Sequence, residues 1–63
     1  MNERTAALPP LLTLPEVAAF LQVHEKTVAR WVRSRQIACV RIGSRLRFDR
    51  QDVLRWVAAR KEG

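Results

Sequence analysis

In 63 residues the chain carries 12 lysines and arginines against 6 acids, a formal net charge of +6. A chain this short supports one domain, whose small core leaves a net stability of roughly 3–5 kcal/mol. Such a chain points to a binding module for a polyanion rather than to a catalyst. The single cysteine, Cys39, has no disulfide partner, and no Cys or His cluster offers a metal site, so neither metal nor cofactor is expected. No apolar run approaches the roughly 20 residues that span a bilayer. The first residues also lack the basic-then-apolar order of a targeting segment, so a cytoplasmic setting is expected.

Charge is concentrated in the middle of the chain. From Lys26 to Arg50 stand Lys26, Arg30, Arg33, Arg35, Arg41, Arg45, Arg47 and Arg50 against one acid, Asp49.

Residues 1–11, with the Pro9-Pro10 pair, read as a flexible N-terminal arm. Residues 12–60 read as the folded domain and 61–63 as a frayed end. Thr13-Leu14-Pro15-Glu16 has the form of a capping box, opening a first helix from Leu14 to about Leu21. Leu14, Val17, Ala18 and Leu21 share its buried arc. Gln22-Val23 forms the turn, and His24, a weak N-cap, opens a second helix from Glu25 to about Arg35. The short, partly apolar connection forces the two helices into the steep packing of a helix-turn-helix. On the second helix Val28, Trp31 and Val32 lie on one arc, and Lys26, Arg30 and Arg33 on the opposite one.

The hydrophobic period then switches to two. Ala38–Ile42 and Arg45–Phe48 read as strands joined at Gly43-Ser44, with Gly43 supplying a positive φ. Val40, Ile42, Leu46 and Phe48 are expected to point inward, and Cys39, Arg41, Arg45 and Arg47 outward. Asp49 caps a third helix running to about Ala59, with Asp52 in its first turn; Val53, Trp56 and Val57 form its buried face, leaving Leu54 and Ala58 off it. The fold class is therefore mainly α with a small β-hairpin, a winged helix-turn-helix in the order α-α-β-β-α.

Lys26, Arg30 and Arg33 fall within about 60° of one another on the helical wheel, as a major-groove reader requires. Taken alone, the stripe also fits a solvated helix face. Arg30 suits bidentate contact with guanine, Lys26 suits guanine or phosphate, and Thr27 can reach a phosphate or a thymine methyl from the edge of the stripe. Arg41, Ser44, Arg45 and Arg47 sit on or near the hairpin tip, where cations suit the minor groove or backbone. Edge protection is the alternative use of those charges. Trp31 and Trp56 have the apolar flanks of core residues, His24 reads as a cap, and no Cys, His or acid pairing suits catalysis.

The succession Leu12-Thr13-x-x-Glu16-Val17-Ala18, Thr27-Val28-x-Arg30-Trp31-Val32, Val40-Arg41-Ile42-Gly43-Ser44-Arg45-Leu46-Arg47-Phe48, Asp52-Val53 and Trp56 resembles the excisionase-like winged helix-turn-helix domains of the MerR superfamily. Thr-Val-x-Arg-Trp-Val is particularly similar to excisionases of the phage lambda type. The resemblance covers residues 12 to about 58. It implies a second helix in the major groove, with Lys26 and Arg30 facing bases, and a wing in the minor groove. Lambda-type proteins carry an acid where this chain has Lys26, which implies a different target. Gln22 stands where the family usually has Gly at the turn, Arg35 where Gly usually follows the second helix, and Ala38 where Pro is frequent. At Arg35 this departure implies a left-handed backbone to be adopted or avoided at some cost. The long dimerising coiled coil and effector domain of full MerR regulators are missing from these 63 residues.

The expectation is a non-enzymatic, sequence-specific binder of double-stranded DNA. An excisionase, or recombination directionality factor of a mobile element, leads: monomeric in solution, cooperative on DNA, bending it, and working with an integrase or recombinase. A small MerR-like transcriptional regulator and a DNA-packaging subunit are the alternatives on the same fold. From another class, Leu54, Ala58 and the tails would recruit an integrase or terminase as an adaptor.

Overall fold

The computed structural model describes residues 11–62. Its elements are β1 (Leu11–Leu12), α1 (Leu14–Leu21), α2 (Glu25–Arg33), β2 (Val40–Ile42), β3 (Arg45–Asp49) and α3 (Arg50–Ala59). Three helices and a small three-stranded antiparallel sheet thus form a mainly helical winged helix-turn-helix.

The capping box at α1 is complete. The Thr13 amide donates to Glu16 Oε1 at 2.8 Å, and the Glu16 amide donates to Thr13 Oγ1 at 3.2 Å. Two of the helix's orphan donors are thereby satisfied reciprocally. At the other end Gln22 is left-handed (φ 59, ψ 43), its amide donates to Ala19 O, and the Val23 amide donates to Ala18 O. This paired closure is a Schellman motif, and it turns the chain tightly into α2.

At the start of α2, His24 Nδ1 accepts from the Lys26 amide at 3.1 Å. The helix stops at Arg33, two residues short of the expected end. Arg35 is left-handed (φ 60), and the Arg35 and Gln36 amides donate back to Val32 O and Trp31 O at 3.1 and 2.8 Å. A second Schellman closure therefore ends the helix, with arginine adopting the conformation that glycine usually supplies.

The sheet order is β1-β3-β2. β1 extends the expected hairpin by a strand: Leu11 pairs with Asp49 and Leu12 with Phe48, so Leu11 belongs to the sheet rather than to the N-terminal arm. The rest of that expected arm, residues 1–10, lies outside the described residues, as does Gly63 of the expected frayed end. In the hairpin Val40 pairs with Arg47, Arg41 with Leu46 and Ile42 with Arg45. Gly43 has φ +61 and Ser44 has no positive φ, the sign pattern of a type II′ turn.

That register corrects the expected faces of the hairpin. Residues directly opposite in an antiparallel pair share a face. Val40, Ile42, Arg45 and Arg47 therefore lie together on one face, while Arg41 shares the other with Leu46 and Phe48. Phe48 is fully buried, but Val40 and Ile42 are 39% and 52% exposed. Cys39, expected to point outward, packs against the core instead.

The core consists of Val17, Ala18, Val28, Ile37, Phe48 and Val53. Leu12, Leu14, Leu21, Val23, Trp31, Val32, Cys39 and Trp56 pack around it. Val57, expected on the buried face of α3, is 37% exposed. α3 leaves β3 directly at its Asp49 cap, so its first turn, with Val53, meets the core, and Val57 lies one turn farther out.

Candidate nucleic-acid interface

α2 is held by its apolar face. Val28 is fully buried, with Trp31 and Val32 packed beside it. At 100° per residue this turns Lys26, Arg30 and Arg33 outward, and all three are exposed. Thr27 is only partly exposed and lies at the edge of the stripe. Arg30 and Arg33 occupy the last turn, where the negative end of the helix dipole favours cations. Arg35, exposed just past the helix, adds a cation absent from the expected binding set.

The hairpin contributes a second group, divided between its faces. Ser44 and Arg45 are exposed at the tip, and Arg47 lies two residues along β3 on the same face as Arg45. Arg47 is half-buried, and its guanidinium donates to Leu46 O at 2.7 Å. Carried one residue past β1, the strand register brings Thr13 level with Arg47, beside the cap of α1. The Glu16 carboxyl there is held below the usual carboxylate range, first by the Thr13 amide and then by the Thr13 hydroxyl. Slight desolvation opposes this, and the Arg47 charge adds to the lowering. Arg41 is exposed on the opposite face from Arg45 and Arg47, so the three arginines do not form the single outward row expected from alternation.

Both groups hang on one core, through Val28 of α2 and Phe48 of β3. Among the described residues the ion pair within 4.0 Å is Asp52–Arg55 on α3, at 3.4 Å. Lys26, Arg30, Arg33, Arg41 and Arg45 thus have no carboxylate at that distance among the described residues and present their charge to solvent, while the half-buried Arg47 acts at longer range on Glu16. An anion approaching them has no internal salt bridge to break.

The loop between the two groups is tied down by α3. Trp56 Nε1 donates to Gln36 O at 2.8 Å, and the Trp31 and Trp56 rings lie 4.9 Å apart at 42°. Both tryptophans therefore serve packing, as their apolar flanks predict. Ile37, in the same loop, is a core residue that helical and strand periodicity both pass over, because it belongs to neither.

A groove of about 300 Å³ between α1 and α3 is lined by Leu12, Glu16, Phe20, Arg50, Val53 and Leu54. Its polar lining is one carboxylate and one guanidinium. Among the described residues no group of three or more His, Cys, Asp or Glu side chains is placed to hold a metal ion. No helix there is long and apolar enough to cross a membrane.

Residues 11–61 match the model of a protein family described as a helix-turn-helix domain. No curated protein and no solved structure matches the chain.

Proposed function

We propose, starting from a chain that belongs to the helix-turn-helix domain family, that this DNA-binding protein reads a specific duplex sequence with α2 and grips the neighbouring groove with its hairpin. One observation carries the reading. Lys26, Arg30 and Arg33 stand exposed on one side of a helix whose other side is locked in the core by Val28. An α-helix fits the major groove, and an arginine there meets guanine O6 and N7 through two parallel hydrogen bonds. Lys26 and Arg30 take the base-facing roles, Thr27 and Arg33 flank them, and Arg45, Arg47, Ser44 and Arg41 hold the backbone and minor groove.

Within this reading the chain is an excisionase-type factor, non-enzymatic, monomeric in solution and cooperative on DNA, where it bends the duplex for an integrase. It would act in the cytoplasm, on the nucleoid. The excisionase-like motif succession, Thr27-Val28-x-Arg30-Trp31-Val32 above all, supports that role, while the wing is common to a small transcriptional regulator and a packaging subunit on the same fold. Sites recovered from a random DNA pool test it: direct tandem repeats bound cooperatively are expected, whereas an isolated inverted repeat bound by a preformed dimer would assign the regulator role instead. In the same assay Arg30→Ala should lose about 1–3 kcal/mol on the recovered site and relax its sequence preference. Equal loss on random DNA would remove Arg30 from base reading.

The groove between α1 and α3 favours a recruiting role alongside DNA binding. Phe20 and Leu54 are 55% and 44% exposed at its walls. Leu54→Ser that keeps DNA affinity but abolishes excision would support recruitment of the integrase there. Unimpaired excision would remove it.

A further inference from the structure

The hairpin face bearing Arg45 and Arg47 also bears Ile42 and Val40, directly opposite them in β2. These two apolar residues are 52% and 39% exposed, because α1 and α3 pack on β3 through the other face, where Phe48 is buried. β2 is moreover an edge strand. Exposed β-branched side chains on a sheet edge invite association with other chains. Each apolar residue on this face instead stands beside a cation, Ile42 beside the exposed Arg45 and Val40 beside the half-buried Arg47.

We propose that Ile42 and Val40 are DNA-contacting residues, an apolar strip seated against the deoxyribose walls of the minor groove while Arg45 and Arg47 engage its phosphate rims. The proposal rests on the DNA-binding reading above and specifies how the hairpin contributes to it. Charge complementarity selects the partner. A minor groove about 6 Å wide has anionic rims with C–H-rich sugar walls between them, matching cations beside an apolar strip on the hairpin. Ile42, next to the Gly43-Ser44 tip, leads the entry, and Val40 follows two residues behind it. A strip inserted there props the groove open, so the contact also favours a bent duplex.

The test compares the wild-type chain with Ile42→Thr/Val40→Thr, which keeps β-branching and strand preference while making the strip polar. Fluorescence anisotropy on a duplex carrying the recovered site should show about a fivefold loss of affinity. The slope of log affinity against log salt should be unchanged, because no phosphate contact is removed. End-labelled duplexes should report a smaller bend by energy transfer.

Unchanged affinity and bend, with Arg47→Ala still weakening binding, would overturn the apolar contact and leave the DNA-binding reading standing. A wild-type chain without DNA affinity would end both. Ile42→Lys provides an independent arm: it should steepen the salt slope yet remain weaker than wild type at physiological salt. Tighter binding by this variant would show that only charge matters at the tip. Vesicles of anionic phospholipid separate the other surface that pairs phosphates with apolar matter. Loss of vesicle binding by the Thr variant, with DNA affinity intact, would also overturn the proposal.

Discussion

The indole N–H of Trp56 donates to the carbonyl of Gln36 at 2.8 Å, across 20 residues of sequence. Gln36 is the residue whose amide closes α2 by donating to Trp31 O, and the Trp31 ring itself packs against Trp56. α3 therefore grips both the side of α2 and the loop that ends it. The Arg60 guanidinium lies 3.8 Å from the Trp56 ring centroid and so adds a cation–π contact near the end of the chain.

Trp56→Phe keeps a ring against Trp31 and removes the donor to Gln36. About 0.5–1.5 kcal/mol of stability should be lost, read by urea denaturation at constant m. Trp56→Ala removes the ring as well and should cost about 3 kcal/mol, near the whole stability of so small a domain. Equal losses from the two substitutions would show that the hydrogen bond, rather than the ring, holds α2 and α3 together.

Gln22 and Arg35 both hold left-handed backbone, at φ 59 and 60. That conformation brings the Cβ of an L-residue too near its own carbonyl, at a cost of about 1 kcal/mol. Gln22→Gly and Arg35→Gly should each raise the midpoint of thermal unfolding by several degrees, about 1 kcal/mol for a domain of this size. They should part company on DNA. Gln22→Gly leaves affinity unchanged, whereas Arg35→Gly removes a cation beside α2 and flattens the salt dependence.

Glu16 links stability to pH. Its carboxyl is held below the ordinary carboxylate range in the folded chain, by the Thr13 amide first, the Thr13 hydroxyl next and Arg47 last. The charged form therefore contributes stability that is fully present above the unfolded value, near 4.5, and is lost as pH falls through the lower folded value. Glu16→Gln should flatten the acid limb of the melting-temperature profile below about pH 5 and leave the neutral region nearly level. An unchanged acid limb would assign that loss to other carboxyls.

Arg47→Ala should weaken every DNA sequence alike and reduce the salt slope by about one ion. The Glu16 charge lowers the local positive potential at Arg47, so Glu16→Gln should tighten DNA binding modestly in the wild-type background and have less effect in Arg47→Ala. A double-mutant cycle on random-sequence DNA measures this coupling, and strict additivity would rule it out.

Local chemistry was legible along the chain because it acts over a few residues. The Thr13–Glu16 capping box, the His24 and Asp49 caps and the Gly43 turn each depend on hydrogen bonds or backbone angles spanning two to four positions, and all occupy their expected places. The cationic arc of α2 follows from helical periodicity once Val28 is buried. The end of α2 was less legible. Arg35 gives no left-handed signal of its own as glycine would, and only the backward hydrogen bonds of Arg35 and Gln36 place the stop at Arg33.

The hairpin marks the boundary between the two kinds of information. Alternation within each strand is local, but a two-residue turn pairs even-numbered positions of β2 with odd-numbered ones of β3, so Val40 and Ile42 share a face with Arg47 and Arg45. That parity was already implicit in the predicted turn. Which face would be covered was not, because coverage depends on where α1 and α3 meet the sheet through Phe48, and on β1 completing it from Leu11–Leu12. By itself the sequence determined where the helices begin, their N-terminal caps, the turn and the cationic stripe, all products of short-range hydrogen bonding and periodicity. Only the tertiary structure decided that Ile37 and Cys39 pack inward while Ile42 and Val57 face solvent, because burial is decided by partners brought together from distant parts of the chain.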